Sequence, residues 1–397
     1  MKKHISKKLS SRIFIIILSL ILIVGILGIY IYDTRNIYMF LRQYSNRRTI
    51  VSTYNSDKAY DGYTIFLNPH GTFEAMDMNG GVVHSFNIPN GNGTYYNSSS
   101  LSTFYYMKDT CSLLFTTRET GITNGFMGEV DKNSHLLWKV PLNSHHAFDT
   151  YNGKIYTFVY KSADLYIDNK IIPIVYDDIV VLAGNGTIIK EVSLLDILRK
   201  NISVDRMINI SETDFPNSFG SYIPGLAGRL DLTHSNKIEV IRENISDAIK
   251  ENYILFSSRN LNLIGIIDID KEELVWYYDS LDGQHSPTIT KNNTILVFDD
   301  GFNRGYSRIV EIDPNTKNII WQYTSWPKKS FFSNVMGSVQ QLPNDDMLIT
   351  ESTSNYLFEI TRAGEKVWAY ELPFPQAVLG AVFQSKRFPK KDFDTCN

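Results

Sequence analysis

A short motif returns six times between residues 78 and 371: a turn of Asp, Asn or Gly, two or three apolar residues, then in most copies an aromatic. It reads MNGGVVHSF (78–86), KNSHLLWKV (132–140), NGTIIKEVSL (185–194), KEELVWYYD (271–279), TKNIIWQYT (316–324) and AGEKVWAYE (363–371). The marker residues His84, Trp138, Glu191, Trp276, Trp321 and Trp368 are 54, 53, 85, 45 and 47 residues apart. Four of these five spacings are near the length of a β-propeller blade, a unit that buries its faces only by stacking on its neighbours. Six markers predict six blades. The long gap contains a polar stretch, 195–228, that breaks the rhythm. It reads as an insertion with a short helix (SLLDILRK) and a loop.

Within each unit, apolar runs pair across turns, as in TITKNNTILVFDD and SVQQLPNDDMLITES. The 24 Tyr and 22 Phe favour strands. The expected class is therefore all-β, a six-bladed propeller over 60–385, rather than two sandwiches. A ring must close, and YDGYTIFLNPHG (60–71) is the expected strand completing the last sheet. Residues 386–397 read as a C-terminal tail.

Residues 13–32 (IFIIILSLILIVGILGIYIY) carry no charge and are long enough to cross a bilayer as a helix. A secretory signal peptide is the alternative, but the run is long for one and no small-residue cleavage site follows. An uncleaved signal anchor is expected, with 1–12 as cytoplasmic tail and 33–59 as juxtamembrane linker. Lys2, Lys3, Lys7, Lys8 and Arg12 precede the run, which points to a cytoplasmic N-terminus and an extracytoplasmic propeller. Seven glycosylation sequons, at Asn92, Asn97, Asn185, Asn201, Asn209, Asn244 and Asn292, suit a glycoprotein on that side. The net charge of −3, without a basic stripe, argues against nucleic acid as a partner. Cys111 and Cys396 are expected to be unrelated thiols, a single bridge being the alternative. No CxxC or HxxxH spacing suggests a metal, and no cofactor is implied.

Three histidine segments stand where new blades open: NSHHAFD (143–149), LTHSNKIEV (232–240) and GQHSPTI (283–289). The first strand of a blade lines the central channel, so His145, His146, His234 and His285 are expected to converge at one end. A strand out and a strand back bring the GFNRG loop, with Arg304, to the end where His285 starts. With Arg259 (FSSRN), these groups would hold an oxyanion, since a guanidinium grips two oxygens in a fork. A neutral imidazole can act as nucleophile or proton carrier. His70, His84 and His135 fall in turns or outer strands and read as structural. No carboxylates are expected to converge at these strand starts, which disfavours paired-acid glycoside hydrolysis.

At these residues the chain resembles the bacterial arylsulfotransferases of the sulfate-ester-dependent type. The resemblance runs from about residue 60 to 372 and includes GYTIFLNPHGTFEAMDMNGGVVHSF, HHAFD, THSNKIEV, ILFSSRNLNLIGIIDID, GQHSPTIT, FDDGFNRG and YSRIVEID. It implies a six-bladed propeller that moves a sulfuryl group from an aryl sulfate to a phenol without a nucleotide donor. It implies catalytic roles for His234, His285 and Arg304, and substrate contacts from His145, His146 and Arg308. In the family a later histidine, in the next blade, takes the sulfuryl group. Here no histidine follows His285. The competing expectation is a catalytically silent, membrane-anchored propeller that binds an anionic ligand, a glycan or a protein.

Overall fold

The structure, a computed structural model, describes residues 50–68, 70–91, 93–96, 101–117, 125–214, 228–372 and 382–394. The expected membrane anchor, 13–32, lies outside them. Among the described residues no helix is long and apolar enough to cross a membrane.

The described strands form six antiparallel sheets, one per blade. Blade 2 is built from Leu101–Met107, Ser112–Thr117, Phe126–Val130 and Leu136–Pro141. Blade 4 is Ser235–Val240, Ile254–Ser258, Leu263–Asp268 and Glu273–Tyr278, and blade 5 is His285–Ile289, Ile295–Asp299, Arg308–Ile312 and Ile319–Tyr323. Middle strands such as Leu263–Asp268 and Met347–Glu351 are buried at every residue. This follows from their position, because a blade packs against a neighbour on each face. The loose alternation in LIGIIDID has that cause.

Blade 3 departs from the others. Its two middle strands, Lys154–Ile167 and Lys170–Ala183, form a long hairpin, followed by the outer strand Ile188–Ser193. The insertion then contributes the helices Leu194–Leu198 and Val204–Asp214, and Leu230–Asp231 pairs in parallel with the hairpin. Ser193 caps the first helix, its hydroxyl accepting from the Asp196 amide. The apolar residues of SLLDIL are buried against blades 3 and 4.

Each hydrophobic cluster sits between two adjacent blades, and the clusters run round the whole ring, including the junction of blade 6 with blade 1. The six repeat markers all fall on the fourth strand of their sheets. Three tryptophans show why that position recurs. Trp276 donates to the Pro314 carbonyl at 2.8 Å, Trp321 to Arg362 at 3.0 Å and Trp368 to Met78 at 2.9 Å. Each indole thus pins its blade to a turn of the next one.

Closure differs from the sequence expectation. Tyr63–Leu67 is the second strand of blade 1, and the innermost strand of that blade is Ser385–Phe388, from the C-terminal end of the described chain. The N-terminal strand that joins blade 6 is Ile50–Tyr54, added outside Lys366–Glu371 as a fifth strand. Residues expected in a linker and in a tail therefore clasp the ring from both sides. Arg387 locks the clasp: buried, it donates to Thr64 Oγ1, to the Tyr60 carbonyl and to Glu359 of blade 6, and lies 4.4 Å over the Trp368 ring. Cys111 corrects a second expectation, since it is disulfide-bonded rather than a free thiol. The other cysteine of the sequence, Cys396, lies outside the described residues.

Candidate functional site

A cavity opens in the central channel, and all six innermost strands or their leading residues line it: Phe104, His146 to Phe148, Asn236 and Lys237, His285 and Ser286, Gly337 and Ser338, and Lys386. The strand starts of blades 3, 4 and 5 share a local distortion. His146, His234 and Ser286 have φ of 59°, 43° and 54°, in the left-handed region that residues with a Cβ seldom occupy. The ladder of each of these strands also shifts register near its start. A bulge bends the strand and re-aims its side chains, and strain of this kind concentrates at functional sites.

The bulges gather four histidines. The His146 ring centroid is 4.9 Å from His145 and 4.7 Å from His234. His145 is buried behind the cavity, stacked at 3.6 Å on Tyr160. Its Nε2 donates to Asp177 Oδ1 at 2.6 Å, while Asp177 Oδ2 accepts from Thr233 Oγ1 and the Ser235 amide. Burial alone would raise Asp177, but His145, Thr233 and Ser235 hold its carboxyl below the ordinary value. Burial also pushes the His145 imidazole down, against the pull of Asp177.

His234 Nδ1 lies 2.5 Å from Asp231 Oδ2. His285 Nδ1 lies 3.0 Å from Asp300 Oδ1 and 3.1 Å from the Gly283 carbonyl. A carbonyl can only accept, so Nδ1 carries the proton and Nε2 keeps its lone pair. Burial, then the charges of Arg259 and His234, holds His285 well below its ordinary value. Its protonated form is therefore disfavoured. Burial pushes Asp300 well up, with Arg259 opposing.

The expected absence of carboxylates at this end is thus corrected. Asp177, Asp231 and Asp300 stand behind three of the histidines and orient them. Their signal was present in YDD, LDLTH and FDDG, but each aspartate sits on a different strand or loop from the one the repeat marked.

The arginines separate into two groups. Arg259 is buried beside the cluster, its backbone amide donating to the His234 carbonyl at 3.2 Å and its charge acting on Asp300 and Asp231. Arg304 does not join the histidines. The GFNRG loop does return to their end, where the Asp282 carboxylate accepts from the amides of Asn303 and Arg304. The guanidinium, however, donates to Asp299 Oδ2 at 3.1 Å, to the Asp299 carbonyl at 3.0 Å and to the Tyr306 carbonyl at 3.2 Å. Arg308 donates to the same Asp299 Oδ2 at 2.6 Å. Both arginines thus brace blade 5 around a fully buried carboxylate.

The blade 6 strand Ser338–Gln341 supplies no imidazole. Ser338 reaches the cavity and donates to Thr350, and Gln340 bonds the Arg387 backbone through both ends of its amide. Glu351 accepts from the Phe332 amide and Ser354. Outside the site, His135 is paired with Asp131 in a turn and His84 packs edge-on against Phe86.

Solved structures with a related course include a protein of unknown function from Bacteroides caccae (10% identity, TM-score 0.49, 83% of this chain and 99% of that one). A streptogramin B lyase (14% identity, TM-score 0.46, 86% and 93%) and an inactive virginiamycin B lyase from Staphylococcus aureus (11% identity, TM-score 0.43, 86% and 88%) are also similar. No curated protein matches the sequence. The family model described as arylsulfotransferase (ASST) matches residues 118–372, more than half of the chain and all of the histidine cluster. The chain belongs to the arylsulfotransferase family.

Proposed function

We propose that this protein transfers a sulfuryl group from an aryl sulfate ester to a phenol, without a nucleotide sulfate donor, and that His285 carries the group in transit. The observation that supports this most is the state of His285: neutral, tied at Nδ1, and part of the cavity wall. In the first half-reaction Nε2 attacks sulfur, the S–O bond to the aryl group breaks, and a phenolate leaves. In the second, the acceptor's phenolic oxygen attacks sulfur, the N–S bond breaks, and the acceptor's proton ends on the departed phenolate. His146 lines the cavity beside His285, and the charges of Arg259 and His234 act on His285; fixed cationic or N–H groups near developing charge lower the barrier.

The test is to incubate the full-length chain, purified in detergent, with a chromogenic aryl sulfate and a phenol, no nucleotide being added. Release of the chromophore that depends on the phenol is expected. No transfer by folded protein between pH 5 and 9, with several acceptors tried, would remove the proposal.

A second reading has its own support. No histidine follows His285, and Ser338 and Gln340 do not replace one. A silent propeller that holds an anionic ligand in the same cavity would show ligand-dependent thermal stabilisation without turnover.

We also propose an extracytoplasmic body held by the anchor at 13–32. The Cys111 disulfide supports that side, because such bonds persist in oxidising compartments. Protease accessibility in intact cells would test it, and full protection of the propeller would contradict it.

A further inference from the structure

The cavity wall also carries two lysines. Lys237, from the innermost strand of blade 4, and Lys386, from that of blade 1, line it together with His146 and His285. Phe104, Phe148 and Phe383 form apolar wall on the same cavity. The nearby carboxylates are already committed. Glu239 is 3.3 Å from Lys237 and accepts from Thr288 Oγ1 and the Ile289 amide. Asp149 is paired with Arg242 at 2.9 Å and accepts from the Val240 amide. Lys386 is half-buried, 5.3 Å over the Tyr105 ring, and among the described residues has no carboxylate within ion-pair distance. Burial, then Lys237, pushes its amine down to about 8. A cation held in a channel beside a second cation is costly unless an anion joins it.

We propose that the aryl ligand of this cavity bears a second anionic group, a carboxylate on its ring, which Lys386 and Lys237 hold while the aromatic body lies against the phenylalanines. This rests on the aryl-ligand reading above and adds the substrate class: hydroxy- or sulfooxy-aryl acids rather than neutral phenols. A neutral aromatic would leave Lys386 without a carboxylate partner among the described residues.

The experiment compares two pairs of probes on the full-length protein in detergent: 4-hydroxybenzoate against 4-hydroxybenzyl alcohol, and 4-carboxyphenyl sulfate against phenyl sulfate. Dissociation constants come from calorimetry, and thermal shifts serve as a second readout. The carboxylate-bearing member of each pair should bind at least tenfold tighter. Lys386→Met should erase that preference while leaving the neutral probe's affinity within twofold. Lys386→Arg should keep the preference, and Lys291→Met, at an exposed surface pair, should change nothing. If Lys386→Met does not fold, Lys237→Met must reduce the preference. Equal binding within each pair, or a preference that survives Lys386→Met, overturns the proposal but leaves the aryl-ligand reading in place. Failure of all four probes to bind overturns both.

Discussion

His285 and Asp300 meet inside the channel, with the imidazole Nδ1 3.0 Å from the carboxyl Oδ1. Asp300 is fully buried, and burial pushes its carboxyl well up. What His285 needs from it is therefore an accepting oxygen more than a full charge. Asp300→Ala should lower kcat by roughly 10–100-fold, the range typical for partners that orient a functional imidazole, with little change in KM. Asp300→Asn keeps an acceptor and should recover most of the loss. Steady-state kinetics on the two variants checks this.

Arg259 and Arg304 should behave in opposite ways. Arg259→Met removes the guanidinium beside the cluster and should reduce kcat by about 10²–10³-fold. Arg304→Met removes a brace on Asp299. It should lower the thermal midpoint while leaving the kcat of the folded fraction within a few-fold. Activity and melting measured on the same preparations separate the two.

Protonation gives a third test. The folded state holds His285 well below 6.5, the unfolded value. Below pH 6.5 the unfolded chain binds a proton there that the folded chain does not, so this stabilisation is present above 6.5 and is lost as pH falls. Asp178 and Asp346, both pushed up to about 6 mainly by burial, act in the opposite sense. The readout is therefore a difference. Between pH 7 and 5 the midpoint of the wild type should fall relative to that of His285→Asn.

Ring closure should be vulnerable at one residue. Arg387→Met strands Glu359 in the core without its cation and removes the donors to Thr64 and Tyr60. Breaking a buried pair in this way costs about 3–5 kcal/mol. Denaturant unfolding of the variant should show a loss of that size, with protease cutting near both ends of the chain.

Much of the fold was legible because the repeat marks a physical job. Trp276, Trp321 and Trp368 lie where an indole can reach the next blade, so their spacing follows the blade repeat. Closure was misread because the innermost strand of blade 1, Ser385–Phe388, reads SKRF and is polar enough to pass for a tail, whereas YTIFL (63–67) reads as a strand but carries no mark of its place in the sheet. The histidines were legible as a set because they open successive blades. Two of their carboxylate partners were not, because Asp177 and Asp300 reach His145 and His285 from 32 and 15 residues away in the sequence. The fate of Arg304 was hidden in FDDG, two adjacent aspartates in which Asp299 takes the arginines and Asp300 takes His285.

The most direct measurement is the mass of the His285 peptide. The full-length protein is mixed with an aryl sulfate in the absence of any phenol acceptor, quenched at alkaline pH, digested and mapped. A gain of one sulfuryl group on the peptide containing His285, discharged when a phenol is added and absent in His285→Ala, is the predicted result. Donor turnover in the presence of phenol with that peptide unmodified, or with the group on another residue, would contradict the assignment of His285.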